Sequence, residues 1–223
     1  NLGDGSDLIL YKLSSTPEAP EVAIVEGIKV IMKNHNLNSK DIKRFAHGTT
    51  VGTNALIERR CGKVALVTSE GFRDLLEIGR QTRPTVYDMH LDHPKPLVDR
   101  ESRFEVPQRR LADGSIHVKL DEVELKNVAS QITDQNVDCV VICFLHSYAF
   151  PEDENRAASL LEKLLPKNVK VLTSSSVFPE FREYERFSTA VLNAALITIV
   201  GAYLDRLTDL IADLGIESEI KIS

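Results

Sequence analysis

The sequence predicts an α/β fold organised around a largely parallel sheet. Short apolar runs alternate along the chain with segments of helical period, the rhythm of strand–helix–strand units. One of those runs, Cys139-Val140-Val141-Ile142-Cys143-Phe144, is apolar without interruption, as a strand covered on both faces must be. A third observation is the run from Phe45 to Glu58, which reads as the end of a buried strand, a Gly-Thr-Thr turn and the first turns of a helix.

Taken in order, Asp7 to Ser14 reads as a strand. Pro17 to Lys33 reads as a helix, with Ile24, Ile28, Ile31 and Met32 on one face. Lys43 to His47 is a short strand and Thr50 to Arg59 a helix that Gly62 stops. Lys63 to Thr68 is the next strand, and Phe72 to Ile78 a short helix. Pro84, Pro94, Pro96 and Pro107 then punctuate an extended excursion. Ser102 to Val106 is a further strand, and Ala112-Asp113-Gly114-Ser115 is a turn with Ile116 to Leu120 pairing beyond it. Asp121 caps a helix, with Glu124 at the capping-box position and Leu125, Val128, Ala129 and Ile132 as its apolar face. Cys139 to Leu145 is the buried strand. Pro151 opens a helix with acids in its first turn and Leu160, Leu161, Leu164 and Leu165 turned inward. Val169 to Thr173 is a strand, residues 174–176 a polar turn. A long apolar helix runs from Phe187 to Leu214, with a break expected near Gly201.

Composition bounds the function. The 223 residues suffice for one large domain or two small ones, and 43% hydrophobic with 27% charged residues is ordinary for a globular protein. The net charge of −6 is interspersed and forms no basic stripe, which speaks against nucleic acid. No apolar run reads as long enough to span a bilayer and the start is not signal-like, so no membrane partner is expected. The three cysteines are odd in number, and Cys139 and Cys143 fall on one strand face as core thiols, so a reducing, cytoplasmic compartment is expected. Both ends read as cut: Asn1 to Ser6 as the tip of a hairpin lacking its first strand, Glu219 to Ser223 as a strand that should feed another element.

Three clusters carry chemistry. In the first, Gly48 lets backbone approach a ligand, Thr49, Thr50 and Thr53 offer hydroxyls, Asn54 an amide, and His47 sits at a strand's C-terminal end, where open α/β sheets place ligands. Such donors suit an anion or a polarised carbonyl; a plain strand–helix connection with Thr50 as N-cap is the alternative. In the second, Arg73, Glu77 and Arg80 share a helical face, either as solvated ion pairs or with Arg80 leaving the helix after Gly79 to meet an anionic or carbonyl group. In the third, Glu180 to Arg186 surrounds Tyr184 with alternating charges, either a helix start with local salt bridges or a cleft wall. His90 and His93 with Asp88 and Asp92 lack a matched second pair, so no metal site is expected. His146-Ser147 lacks a glycine elbow, and no Walker A loop is present.

Four motifs in register resemble the hydantoinase A/5-oxoprolinase family: Ala46 to Arg59; Gly71 to Gln81 with Arg83-Pro84; Cys143 to Tyr148 with Pro151 and Glu154; and Pro179 to Arg186 followed by Ser188-Thr189 and Asn193-Ala194. The resemblance covers essentially the whole chain as the N-terminal region of such a protein and leans to the hydantoinase A branch. It implies an actin-like ATPase (ribonuclease H-like) lobe followed by a second α/β subdomain, incomplete at both ends. Residues 1–83 would be the first part, 84–120 a Pro-rich connection, and 121–223 the second subdomain with its long helix. It further implies ATP and Mg²⁺, a cyclic-amide substrate such as N-methylhydantoin or 5-oxoproline, a B subunit and an oligomer. Ketone carboxylation is the alternative activity, and a scaffold lobe lacking catalysis the alternative role. The resemblance makes His47 and Arg80 catalytic. Gly48, Thr49, Thr50, Thr53 and Asn54 would hold substrate or phosphate, with Arg83, Glu183 and Arg186 along the cleft wall. The family's phosphate hairpin would precede Asn1, and Gly52 stands where alanine is usual.

Overall fold

A strand with no polar side chains to spare must find neighbours on both edges and helices on both faces, and the run at 139–143 finds all four. The computed structural model describes residues 9–16, 18–82, 85, 87–88 and 94–222. In chain order the elements are α1 (Pro20–Asn34), β1 (Phe45–His47), α2 (Val51–Ile57), β2 (Val64–Ser69), α3 (Leu75–Ile78), β3 (Arg103–Val106), β4 (Arg109–Arg110), β5 (Ile116–Val118), α4 (Glu122–Asp134), β6 (Cys139–Cys143), α5 (Glu152–Leu164), β7 (Lys170–Thr173), α6 (Ser174–Val177), α7 (Glu183–Asp213) and β8 (Ile220–Ile222). They group into two compact units, residues 55–198 and residues 1–54 with 199–223.

In the unit 55–198, four strands form one parallel sheet in the order β3-β2-β6-β7. Every residue of β2 and β6 is buried. Ala65, Val67, Val140 and Ile142 face α4 and α5, meeting Leu125, Ile132, Ala157 and Leu161. Val64, Leu66, Cys139, Val141 and Cys143 face the other way, onto Phe187, Ala190, Val191 and Ala194 of α7. The two cysteines are thus core thiols; burial pushes Cys139 up to about 12 and Cys143 well above the ordinary thiol range. β4 and β5 form a small antiparallel ribbon closed by the predicted turn. Its Gly114 has φ +86, and an added Cβ there would stand 2.8 Å from the Phe150 ring, so only glycine fits.

Polar groups at the C-terminal ends of β6 and β7 form a closed network. Glu154 and Arg186 are both fully buried. One Glu154 oxygen accepts from the Phe144 N–H at 2.8 Å and the Ser174 hydroxyl at 2.7 Å; the other accepts from the Ser175 N–H and hydroxyl at 2.9 and 2.7 Å. Arg186 donates to the Phe144 carbonyl at 2.7 Å, to Ser174 Oγ at 3.1 Å and to the Glu180 carbonyl at 3.2 Å. The charges therefore meet through Ser174 and across the backbone of one residue, Phe144.

The unit made of 1–54 and 199–223 pairs β1 with β8 in parallel. Its core joins Val25 and Ile28 of α1, Phe45 of β1 and Tyr203, Leu207 and Ile211 of α7.

Several expectations are corrected. Asp7 and Leu8 lie outside the described residues, and residues 9–14 belong to no sheet: a strand is defined by its ladder, and no described neighbour supplies one. The first helix begins at Pro20, where a proline at the first helical position costs no hydrogen bond. Residues 174–177 form a short helix capped by the Thr173 hydroxyl. Leu164 is exposed, because Leu161 and Leu165 already fill the inward positions of α5 and its end. α7 runs unbroken for 31 residues past Gly201, which sits where a Cβ would meet open space. It is the one helix among the described residues long and apolar enough to cross a membrane, correcting the expectation that no such run exists. Its apolar residues supply both cores, which is why it is apolar on more than one face.

The cap of α4 is half as predicted. Asp121 accepts from the Val123 and Glu124 N–H groups, but its own N–H goes to the Pro107 carbonyl, so Glu124 bonds Asn127 instead of closing a box. Asp121→Ala is expected to lower stability by about 1 kcal/mol. Glu124→Ala should stay within about 0.5 kcal/mol. Urea midpoints of the two variants check both, and equal losses would restore the reciprocal box.

Candidate active site

The Gly-Thr-Thr turn joins β1 to α2, in the unit holding both chain ends. Gly48, Thr50, Thr53 and Asn54 are exposed, while His47 and Thr49 are half-buried. Thr49 Oγ1 accepts from the Val51 N–H at 3.2 Å, so Thr49 rather than Thr50 supplies the side-chain cap of α2. The Thr50 carbonyl accepts the first helical N–H, from Asn54 at 2.8 Å, and its hydroxyl lies 3.4 Å from the Asn54 amide nitrogen. The Thr53 hydroxyl makes no hydrogen bond among the described residues. The turn thus divides its hydroxyls: Thr49 is used internally, while Thr50 and Thr53 are open to solvent.

His47 ends β1 with its Nε2 2.5 Å from the hydroxyl of Tyr203. Tyr203 comes from α7, 156 residues on, and is only 2% exposed. Burial lowers the His47 pKa from its ordinary 6.5, which keeps the imidazole neutral at neutral pH. Burial raises the Tyr203 pKa, the Thr49 side chain opposes that, and the charge of Glu21 adds to it. Glu21, in the first turn of α1, is itself buried; one oxygen takes Arg206 Nε at 2.6 Å and the other has no partner among the described residues. Tyr203 and Glu21 carried no signal in the sequence: one hides in an apolar helix, the other looks like an ordinary first-turn acid.

Arg80 belongs to the unit 55–198. α3 has only four residues and ends at Gly79, whose φ is +55. This corrects the shared helical face expected for Arg73, Glu77 and Arg80. Arg73 donates to the Arg100 carbonyl, Glu77 accepts from Arg103, and Arg80 Nε donates to Glu185 Oε1 at 2.8 Å. Glu185 lies below its ordinary range, held first by its own backbone N–H and then by Arg80. Beside the pair is a cavity of about 350 Å³ lined by Ile78, Gly79, Arg80, Thr82, Pro94 and Tyr184. Glu183 stands 3.7 Å from the buried Arg186, which presents no surface of its own. Arg83 lies outside the described residues, as do His90, Asp92 and His93; Asp88 is exposed.

The donor set from His47 to Asn54 consists of backbone N–H groups, hydroxyls, one amide and a neutral imidazole. It fits a phosphoryl oxygen or a polarised carbonyl oxygen. It contains no carboxylate, so this turn does not fit a magnesium ion.

Residues 3–165 match the hydantoinase/oxoprolinase N-terminal region. The chain belongs to the hydantoinase/oxoprolinase family. It is 35% identical to caprolactamase subunit alpha of Pseudomonas jessenii over 92% of its own length and 30% of that protein's. It is 30% identical to 5-oxoprolinase 1 of Arabidopsis thaliana, over 91% of this chain and 18% of that one. The crystal structure of the ATP-dependent caprolactamase from Pseudomonas jessenii superposes with a TM-score of 0.88 at 33% identity, covering 97% of this chain and 32% of that one. Nucleotide-free acetone carboxylase superposes at 0.84 with 20% identity, covering 94% and 32%, a likeness of fold alone. The fold is the actin-like ATPase type, as the motifs implied. The chain therefore spans about a third or less of these relatives.

Burial of a neutral His47 links stability to pH. The unfolded imidazole takes up its proton near 6.5, before the folded one does, so the unfolded state binds more protons in that window. The His47 contribution is complete above 6.5 and is lost as pH falls from there through the folded value. Thermal melts from pH 8 to 5 should show this loss reduced in His47→Gln; identical pH slopes would contradict it.

Proposed function

We propose that this chain forms part of the catalytic cleft of an ATP-dependent enzyme that opens cyclic amides. The observation that carries the reading is the neutral His47, bonded to Tyr203 at the C-terminal end of β1, beside the solvent-open donors of residues 48–54. The likeness to an ATP-dependent caprolactamase supports the amide substrate, whereas acetone carboxylase is similar only in fold.

ATP, when bound, supplies the phosphoryl group that activates the amide carbonyl. The chain's own residues bind and polarise. The backbone beside Gly48 and the hydroxyls of Thr50 and Thr53 bind oxygens of substrate or phosphate, and the Asn54 amide adds a fourth donor. Thr49 orders the turn by capping α2. His47 donates to the oxygen on which charge develops. Arg80 offsets negative charge as its side chain exchanges Glu185 for a ligand. Within the unit 55–198 Glu183 adds to the wall beside Arg80, and the buried Arg186 holds the first turn of α7; Arg83 is a further candidate for that wall from its motif alone. A magnesium ion would reach the enzyme with the nucleotide and draws no ligand from residues 47–54. The designation of one relative as a subunit alpha supports a partner subunit in the working enzyme, and a higher oligomer with it.

The test uses the full-length protein with its partner subunit, assayed for substrate-dependent ATP hydrolysis against lactams, hydantoins, 5-oxoproline and small ketones. A lactam or hydantoin should stimulate turnover. His47→Ala should lower it about a hundredfold, the effect of losing one donor to a developing oxyanion. Arg80→Ala should lower it as well, with circular dichroism unchanged. Wild-type turnover in both variants would leave the region a scaffold, and stimulation by ketones alone would mark a carboxylase.

A further inference from the structure

His47 can serve two opposite purposes, and the choice depends on which ring nitrogen carries its proton. With the proton on Nε2, the ring donates to Tyr203 and offers a basic Nδ1 outward. With the proton on Nδ1, Nε2 accepts from Tyr203 and the outward nitrogen is a donor.

The surrounding bonds run in one direction. The Val51 N–H donates into Thr49 Oγ1, which leaves the Thr49 proton to be given away. The Tyr203 hydroxyl lies 2.5 Å from His47 Nε2, and the Thr49 side chain acts to lower the Tyr203 pKa. Tyr203 is 2% exposed, so its hydroxyl proton cannot go to bulk water. Of the acceptors within reach, an imidazole nitrogen is far more basic than a threonine hydroxyl. The separation also suits an O–H donor better than an N–H donor, whose bonds centre near 2.9 Å. Among the described residues, the charged groups around Tyr203 are Glu21 of α1 and Arg206 of α7, which pair with each other. Neither bonds the imidazole.

We infer that Tyr203 is a positioning residue that holds His47 in the Nδ1–H tautomer, making it a hydrogen-bond donor rather than a general base. The inference rests on the reading of His47 as a ligand-facing residue and names what that residue does there. The two bonds, Val51 to Thr49 and Tyr203 to His47, carry no net charge and transfer no proton. They order the turn and the imidazole. A substrate carbonyl or phosphoryl oxygen is the chemistry that such a donor recognises, and a substrate proton to be abstracted is not.

The test is ¹⁵N NMR of the full-length enzyme labelled in its histidine rings, with His47→Gln assigning the signal. The wild-type ring should carry its proton on Nδ1 at pH 7.5. In Tyr203→Phe, which removes one oxygen from a buried ring, the population should move toward Nε2–H. Turnover of Tyr203→Phe should fall about tenfold, the rate equivalent of one hydrogen bond. The acid limb of its kcat profile should shift to higher pH, because the neutral ring loses its stabilising donor; a packing defect would lower kcat and leave the limb in place. An Nε2–H ring in the wild type overturns the assignment, and this holds even if Tyr203→Phe fails to fold. An Nδ1–H ring that is unchanged in Tyr203→Phe overturns it too. Full turnover by His47→Ala alongside an Nδ1–H ring would instead defeat the catalytic reading and leave the tautomer assignment standing.

Discussion

The buried pair of charges, Glu154 and Arg186, is the constraint on which the larger unit depends. Removing a carboxylate and a guanidinium from water costs several kcal/mol each, so both must be fully satisfied inside. They are, by the N–H and carbonyl of Phe144, the hydroxyls of Ser174 and Ser175 and the carbonyl of Glu180. Charges and partners together tie the exit of β6, the start of α5, the first residues of α6, and the segment at Glu180 that leads into the first turn of α7. None of these can shift without stranding a charge. The first turn of α7 also carries Tyr184, against Gly79, and Glu185, against Arg80. The buried network thus sets the position of an exposed arginine that touches none of it.

The unit built from the two chain ends solves the same problem with neutral groups. His47 and Tyr203 form a hydrogen-bonded pair in which burial suppresses charge rather than pairing it. Such an arrangement holds geometry without an ionic cost, which suits a site meant to polarise a ligand. Among the described residues of this unit Glu21 and Arg206 form an ion pair, and there the arginine keeps its contact with solvent.

How much of this was legible follows from what pattern can encode. Burial of β2, β6 and the Leu125–Ile132 face of α4 was readable, because a face repeats at the period of its element. Asp121 was readable as a cap because capping is local. Glu124 failed as the second half of a box because Pro107, remote from the helix start, takes the N–H that the box requires. Glu154 looked like an acid complementing a helix dipole; only the fold brings Ser174 and Ser175 to it. Tyr203 was invisible for a similar reason, its partner being 156 residues away. α7 defeated periodicity outright, since one helix serving two cores has no single apolar stripe, and the break expected near Gly201 is one that the backbone does not make. The Gly-Thr-Thr turn was found by its density of small polar residues, but which threonine caps and which faces solvent is a matter of backbone direction.

A double-mutant cycle on Arg186→Met and Glu154→Gln, read by chemical denaturation of the full-length protein, measures whether the two buried charges are coupled. If the two buried charges are held by one shared network, Arg186→Met alone should cost about 3–5 kcal/mol. The double variant should then be more stable than the sum of the single losses predicts, by about 1 kcal/mol or more. Losses that add within about 0.5 kcal/mol would show two independent sites and contradict the account.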